Sequence, residues 1–306
     1  MLVLVAGATG NIGQHLIDSL TKRGHQVRAL ARNSSKLPAK RLEKLEAFIS
    51  SKSYYDINAL DHACTSVDAV ISAYAGIPEL QLEAQLLLLR AAERAHVTRF
   101  ISASWNYDWR DMPLGMQESY DPYISFRRHA DISSNIRPIY ILSGVLAEVL
   151  FSVSGHGDFS PKNHGVWDPA SKTMEIFGTG QEQWHWTTEE DAAEFAAEII
   201  QREDAPQGGF WTLCSGVNTL PEIARAYERV KGTKVDIQYK GTVSDLRRKA
   251  LEAREQGCPK KYWDYIGWFY QLYTVDGTWT LKNLQNDTIG VLTTSLEEFL
   301  RDSQLV

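Results

Sequence analysis

The chain opens with a short apolar segment, a glycine-rich turn and an amphipathic segment. Residues 2–6 are apolar, and Gly7-Ala8-Thr9-Gly10-Asn11-Ile12-Gly13 follows at once. Apolar side chains then recur at helical spacing, at Ile12, Leu16, Ile17 and Leu20. This order predicts a strand, a tight turn and a helix over roughly residues 2 to 23, the opening unit of a Rossmann-type sheet. It constrains the fold more than any other feature of the sequence.

Each glycine of this turn has a separate predicted purpose. Gly7 permits the tight turn, Gly10 lets a phosphate approach the backbone, and Gly13 allows close packing of helix on sheet. Because a helix N-terminus favours anions, the turn predicts a dinucleotide site. Thr9, Asn11 and Ile12 complete the predicted contacts. An ordinary strand-to-helix turn is the alternative.

The second predicted strand ends in a basic and hydroxyl-bearing segment, Arg32-Asn33-Ser34-Ser35-Lys36. NAD binders place an acid here for the ribose hydroxyls, and this segment has none. Arg32 can instead bind a 2′-phosphate, with Ser34 and Lys36 adding a donor and a charge. The segment therefore favours NADP(H) over NAD(H), although a solvated basic loop is the alternative.

Apolar runs alternate with amphipathic stretches through the first half of the chain, as in parallel α/β sheets. Strands are expected at residues 2–6, 27–31, 69–73, 99–103 and 138–142, with a weaker one near Phe48. We predict an α/β fold, a Rossmann-type doubly wound parallel sheet with a smaller C-terminal substrate-binding domain. Residues 1–150 form the NADP(H)-binding domain, and residues 151–306 form the substrate side, with segments returning to the first sheet.

Two local patterns stand out in the second half. Thr188 precedes Asp191 by three residues, which resembles a capping box before a helix. Trp184-His185-Trp186 is interpreted as a strand with buried tryptophans.

A later segment is rich in aromatic residues, which favours core packing over a stacking wall for substrate. Its members are Trp263, Tyr265, Trp268, Phe269, Tyr270 and Tyr273.

Composition excludes several classes of function. The net charge of −6 provides no basic field for nucleic acid, and no apolar run reaches the ~20 residues of a membrane span. The three cysteines are widely separated, so neither a disulfide framework nor a metal site is predicted. We expect a cytoplasmic protein, a monomer or a homodimer, that acts on a small molecule.

Taken with the Gly7, Gly10 and Gly13 turn and Arg32, two further segments suggest a family. They are Arg99-Phe100-Ile101-Ser102 and Ile176-Phe177-Gly178-Thr179-Gly180. Together with an ending at residues 294–300, the chain resembles the NmrA-like and isoflavone-reductase-like branch of the atypical short-chain dehydrogenase/reductase superfamily. The resemblance covers most of the chain. It implies NADPH-dependent reduction of aromatic natural products, or NADP binding without turnover.

The resemblance also implies a catalytic lysine on the helix after strand five, and this chain lacks it. The matching segment is Tyr123-Ile124-Ser125-Phe126-Arg127-Arg128-His129-Ala130. Four-residue spacing places Tyr123 and Arg127 on one helix face, where the guanidinium would favour the ionised phenol. Tyr123 is the candidate acid, Arg127 its partner, and Ser104 orients substrate. The alternative is a packed tyrosine and a surface arginine.

Strand ends in such sheets border the cofactor, which adds candidate contacts. They are Ala73 and Tyr74 after strand four, Ser102 at the end of strand five, and Ser143, Gly144 and Val145 after strand six. His156 and His164 lie in a glycine-rich loop, where either could enter the site, although most loop histidines are solvated.

Three functions are compatible with these observations. The first is an NADPH-dependent reductase of a small, largely apolar, aromatic or natural-product metabolite, with Tyr123 as acid. The second is an NADP(H)-sensing regulator without turnover, which the missing lysine favours. The third is a non-redox cyclase or isomerase of natural-product biosynthesis on the same fold.

Overall fold

The computed structural model describes residues 1–302, so the last four residues of the predicted C-terminal half lie outside the described residues. Strands are numbered in chain order as β1 (Leu2–Ala6), β2 (Gln26–Ala31), β3 (Ala47–Ser50), β4 (Ala69–Ser72), β5 (Arg99–Ile101), β6 (Ile139–Leu142), β7 (Val145–Leu146), β8 (Trp167–Asp168), β9 (Thr173–Phe177), β10 (Gln183–Thr187), β11 (Gly209–Thr212), β12 (Gly216–Thr219) and β13 (Asp236–Gly241).

The α-helices separate these strands or follow them. They are α1 (Asn11–Lys22), α2 (Ala39–Leu42), α3 (Ile57–Cys64), α4 (Gln85–Arg94), α5 (Asp121–Ser133), α6 (Ala147–Leu150), α7 (Glu189–Gln201), α8 (Leu220–Lys231), α9 (Val243–Gln256), α10 (Ile266–Val275), α11 (Asn286–Ile289) and α12 (Leu296–Arg301). A π-helical turn, Leu80–Ala84, leads directly into α4.

The main sheet has seven parallel strands in the order β11-β6-β5-β4-β1-β2-β3. This confirms the Rossmann-type sheet, including its weakly predicted third strand. The order of successive strands reverses between β1 and β4, and a crevice forms at the carboxyl ends of the strands at such a switch point. The glycine turn follows β1 at that edge.

Alternating side chains of β1 serve two cores, as the pleat requires. Val3 and Val5 pack in one core with Leu16 of α1 and Phe195 of α7. Leu4 and Ala6 face the other core, which contains apolar residues of α3, α4 and α5. All these strand residues are fully buried, which is why the sequence of β1 is continuously apolar. The helices therefore cover both faces of the sheet.

Segments beyond residue 150 take part in the main sheet. β11 pairs in parallel with β6, and α7 packs against α1. The helix α7 begins after Thr188, whose side chain accepts a hydrogen bond from the Asp191 N–H. The Asp191 carboxylate does not complete a capping box, because it accepts from Ser215 and Thr294 instead.

Two small sheets carry the rest of the second half, in the orders β12-β10-β7 and β13-β9-β8. The strand β10 contains Trp184, His185 and Trp186, all of them buried. Together with the main sheet, this architecture confirms the predicted fold class. No helix within residues 1–302 has the length and apolar character needed to cross a membrane.

Candidate functional site

A cavity of about 760 Å³ lies at the carboxyl ends of the parallel strands. Gly10, Asn11 and Ile12 line one end of it, next to the glycine turn. Tyr123 and aromatic residues of the second half line the other end. A single cleft therefore joins the predicted phosphate-binding turn to the predicted acid, as an enzyme that brings cofactor and substrate together requires.

Backbone geometry explains two of the three glycines. Gly7 has φ of +82°, and a Cβ there would lie 2.7 Å from the Ala73 carbonyl oxygen. A Cβ at Gly13 would lie 2.4 Å from the Gly7 carbonyl oxygen. Both positions exclude side chains on steric grounds. Gly10 differs, because within the described chain a Cβ there would meet only the Gly7 oxygen, at 3.3 Å.

The N-terminus of α1 fits a phosphate group. Gly10 is its N-cap and has no side chain to cap the helix, and no acid stands in the first turn. The first helical hydrogen bond runs from Gln14 N to Gly10 O, at 2.9 Å. The N–H groups of Asn11, Ile12 and Gly13 therefore have no backbone acceptor among residues 1–302. A pyrophosphate could satisfy them and would enter the space that the absent Cβ of Gly10 leaves open.

The basic segment after β2 is largely exposed, and Arg32 and Lys36 take no part in the ion pairs among residues 1–302. Nearby Arg41 and Lys44 bind Asp18, but the Arg32 guanidinium and the Lys36 ammonium have no polar partner within residues 1–302. Ser34 begins a 3-10 turn capped by the Asn33 side chain. The segment is thus free to bind a 2′-phosphate.

The remaining predicted cofactor contacts fall into two groups. Ala73, Tyr74, Gly144 and Val145 line the cavity, and Tyr74 packs against Gly7. The Thr9 side chain is not part of the lining, and the Thr9 carbonyl accepts from Gln14. Ser102 and Ser143 are buried, do not line the cavity, and have hydroxyls without a hydrogen-bond partner among the described residues.

Tyr123 lines the cavity from α5 and is held by an amide. Gln81, in the π-helical turn, donates from Nε2 to the Tyr123 hydroxyl at 2.7 Å. Burial raises the pKa of Tyr123, and the lowering by the Asn106 side chain is smaller. The sequence had suggested a phenol poised to ionise, so the direction of this shift corrects that expectation. A tyrosine in this state is a hydrogen-bond donor and stays neutral.

Arg127 does not contact the Tyr123 hydroxyl, contrary to the expectation from four-residue spacing. Its guanidinium lies 4.8 Å from the ring centroid of Phe210 and donates to the Arg110 carbonyl at 3.2 Å. It also approaches Asp131 at 3.6 Å. The two side chains leave one helix face in different directions, Tyr123 into the cavity and Arg127 toward the edge strand β11.

Ser104 lines the cavity, but its hydroxyl already makes two hydrogen bonds. It donates to the Ser102 carbonyl at 3.1 Å and accepts from Ile141 N at 2.9 Å. These bonds join the ends of β5 and β6, where the backbone ladder is short. Ser104 therefore has a structural task, and the expectation that it orients substrate is not supported by this geometry.

The aromatic residues of the second half divide between wall and core. Trp263 and Tyr270 line the cavity, whereas Tyr265, Trp268, Phe269 and Tyr273 pack elsewhere. Three aromatic residues of the first half, in segments with no sequence signal for it, add to the wall: Trp105, Tyr107 and Tyr120. The loop after α6 adds Phe159.

His156 and Glu189 form a second polar wall of the cavity. His156 Nδ1 lies 2.8 Å from Glu189 Oε2 and 2.9 Å from Asn11 Nδ2. The backbone N–H of Glu189 is 3.1 Å from both oxygens of Glu148. Burial raises the pKa of Glu189 to about 7, and burial together with the Glu189 charge does the same for Glu148. His164, by contrast, stacks on Trp268 outside the cavity.

The sequence alone did not identify Gln81, Glu148 or Glu189. Acids in the first turn of α7 are an ordinary helix-start pattern, and nothing in the sequence shows that Glu189 faces a cavity. Within residues 1–302 no lysine or arginine lines this space, and no cluster of potential metal ligands is present. The titratable lining groups are tyrosines, His156, Asp158 and Glu189.

Relatives of known activity share much of the chain. A probable pinoresinol-lariciresinol reductase from Arabidopsis thaliana is 31% identical over 204 residues, which cover 65% of this chain and 62% of that protein. A bifunctional pinoresinol-lariciresinol reductase from Thuja plicata is 26% identical and matches 84% of each chain. The match to the first relative thus spans less than two thirds of that protein's length.

Solved structures agree on the fold. The binary complex of leucoanthocyanidin reductase with NADPH from Vitis vinifera superposes with a TM-score of 0.75, over all of both chains, at 19% identity. The NmrA-like family model matches residues 1–275. These matches confirm the resemblance that the glycine turn and Arg32 suggested. The chain belongs to the NmrA-like family.

Proposed function

We propose that this protein is an NADP(H)-dependent reductase of a small, neutral, largely apolar aromatic metabolite. The observation that carries the proposal is the single cavity, which extends from Gly10 and Asn11 at the phosphate-binding turn to Tyr123, Trp263 and Tyr270. Membership of the NmrA-like family and similarity to NADPH-dependent reductases add support.

The residues at the glycine turn fit NADP(H) in three ways. The free N–H groups of Asn11 and Ile12 would hold the pyrophosphate. Arg32, exposed and without a polar partner in the described chain, would bind the 2′-phosphate, assisted by Lys36. Ala73, Gly144 and Val145 would border the nicotinamide end. Bound NADPH supplies the hydride for the reduction.

Tyr123 would bind the substrate oxygen. Because Gln81 donates to the phenol oxygen at 2.7 Å, we expect the hydroxyl hydrogen to point into the cavity. There it can donate to a carbonyl oxygen on which negative charge develops, and burial strengthens this interaction. Tyr123 thus remains the proposed acid or hydrogen-bond donor, and it acts without Arg127.

The charge of the lining limits the substrate class. Asp158 and Glu189 line the cavity, and no cationic lysine or arginine is present in the lining within residues 1–302. An anionic substrate would lose its hydration without gaining a partner. The aromatic lining residues Trp105, Trp263 and Tyr270 favour a flat, neutral ring system with few hydroxyls.

The test is NADPH oxidation with a panel of neutral aromatic ketones, enones and benzylic ethers. We expect turnover of at least one compound, and a fall of about 10²-fold in kcat for Tyr123→Phe, the size of a typical acid contribution. Tyr239→Phe is the control, because Tyr239 is exposed and lies outside the cavity. Tight NADPH binding without oxidation would favour a sensor, and a product of unchanged mass would favour an isomerase or cyclase.

A further inference from the structure

The wall opposite Tyr123 contains polar groups that the proposed reduction has not yet used. Tyr123 and Gln81 come from elements on the face of the sheet covered by α4 and α5. Asn11 and Glu189 come from α1 and α7, which cover the other face. His156 lies between these two helices and the cavity. The cavity therefore has a polar group on each side.

The Asn11 amide donates into this wall. Its Nδ2 lies 3.2 Å from the Gly155 carbonyl oxygen and 3.3 Å from Glu189 Oε1. The opposite amide orientation would place three oxygens together, so Nδ2 is the donor. Because Gly155 and Glu189 can use both hydrogens of Nδ2, its 2.9 Å contact with His156 Nδ1 does not decide whether that nitrogen donates or accepts.

His156 Nδ1 and Glu189 Oε2 are 2.8 Å apart and share one hydrogen. If Glu189 carries that hydrogen, Nδ1 accepts it, and the neutral ring carries its own hydrogen on Nε2. The side chain of Glu189 is 3% exposed, which favours this neutral form. Among residues 1–302, Nε2 has no hydrogen-bond partner, and His156 is part of the cavity lining.

We propose that His156 and Glu189 form a proton relay that serves the cavity from the wall opposite Tyr123. His156 is the catalytic donor, and Glu189 is a positioning residue that holds the next proton. This inference rests on the proposed function for its substrate, a neutral aromatic carbonyl compound, and for its reductant, NADPH. It assigns a proton source to a site in which the family's lysine is absent.

After hydride transfer to the carbonyl carbon, the substrate oxygen carries a negative charge. The Nε2–H bond breaks and the O–H bond of the alcohol forms, while the Glu189 O–H bond breaks and an Nδ1–H bond forms. The ring remains neutral and Glu189 becomes a carboxylate. One proton from solvent restores the starting state after the product leaves.

Other charged groups surround the relay. Glu148 of α6 accepts the Glu189 N–H, so a negative charge on either carboxyl opposes a charge on the other. His15 of α1 lies close enough to His156 for their charges to interact, and Asp158 follows in the same loop. Burial raises the pKa of Glu189 to about 7, which keeps a proton available near neutral pH.

The first test needs no turnover. Histidines labelled with ¹⁵N report which ring nitrogen carries hydrogen, and His156→Gln identifies the His156 signals. We expect the ¹⁵N signals of His156 to change between about pH 6 and 8, as Glu189 ionises and the shared hydrogen moves to Nδ1. Glu189→Gln should remove that change, whereas His129→Gln, at an exposed position on α5, should leave it intact. Hydrogen on Nδ1 throughout, or an unchanged titration in Glu189→Gln, would overturn the relay.

The second test measures catalysis. His156→Gln should lower kcat by about 10²-fold with unchanged NADPH affinity, and Glu189→Gln should flatten the pH profile of kcat near neutrality. Turnover by His156→Gln at the wild-type rate would overturn the proposal. Failure of the proposed function is distinct, because no NADPH oxidation would then occur in the wild type, while the ¹⁵N titration would still decide the relay.

Discussion

The two ends of the cavity are built by different means. At the glycine turn, backbone positions define the site, because the glycines leave free the space that a Cβ would occupy. Along the rest of the cavity, side chains from the π-helical turn, α5, α7 and the loop after α6 line one space, and His156 and Glu189 among them contact Asn11 of the turn. The turn consists of seven consecutive residues, whereas the rest of the cavity gathers Gln81, Tyr123, His156 and Glu189 from across the chain.

This difference shows which part of a functional site can be identified from the amino-acid sequence. A backbone that must turn tightly or approach a phosphate restricts the residue type directly, so glycine spacing is visible in a single sequence. A proton relay restricts only the final arrangement, and its glutamate and histidine look like ordinary helix-start and loop residues. Three predictions test this difference, beginning with the substitutions that should change cofactor binding most.

The largest effect is expected within the glycine turn, where substitution of Gly10 should weaken cofactor binding and substitution of Gly13 should lower stability. Gly10→Ala places a methyl group where the phosphate would lie, and should weaken NADPH binding by about 10²-fold, or roughly 2.7 kcal/mol, with little change in Tm. Gly13→Ala forces a contact of 2.4 Å with backbone and should destabilise the fold by about 1–3 kcal/mol.

Titration calorimetry and thermal denaturation measure the two properties. The same loss of Tm in both variants would mean that Gly10 has only a packing role. Unchanged NADPH affinity in Gly10→Ala would show that the cofactor does not approach this turn.

A smaller effect is expected at Arg32. Loss of a charge-assisted hydrogen bond to the 2′-phosphate amounts to about 1.5–3 kcal/mol, so Arg32→Ala should weaken NADPH binding by roughly 10–100-fold. NADH affinity should not change, since NADH lacks that phosphate. Arg28→Ala is a matched control, because Arg28 pairs with Glu46 and contacts no part of the cavity. Equal losses for both cofactors would contradict the assignment.

The smallest effect concerns stability and the buried Glu148, which accepts a hydrogen bond from the Glu189 N–H. The pKa of Glu148 is raised to about 7 in the fold, against about 4.3 in an unfolded chain. Between these values the folded protein keeps a proton that the unfolded chain releases, so the free energy of unfolding falls as pH rises through this window. Glu148→Gln removes this titration. Its Tm should therefore fall across the window by about 2–4 °C less than the Tm of the wild type.

Thermal denaturation from about pH 5 to about pH 8 checks this. Glu222→Gln is the control. Glu222 is a capping residue of α8, and its pKa is lowered, so it stays ionised throughout this pH window. Parallel curves for wild type and Glu148→Gln would show that Glu148 ionises normally.

Most of the fold could be predicted from the sequence, because buried parallel strands are continuously apolar and the glycine turn has one dominant structural meaning. The Arg127 expectation failed for a physical reason: helical spacing fixes the face from which a side chain leaves, but not the neighbour it meets. Phe210, on a strand far along the chain, attracts the guanidinium instead. The structural role of Ser104 was likewise not visible in the sequence, since its two hydrogen bonds depend on how β5 and β6 end side by side.

The most direct test of the central claim uses NADPH deuterated at C4 and a neutral aromatic carbonyl compound that the panel shows to bind. Mass spectrometry of the product should reveal the gain of one deuterium, at carbon, and one exchangeable hydrogen, at oxygen. A product of unchanged mass, or a bound substrate that never acquires deuterium while NADPH stays intact, would contradict a reductase.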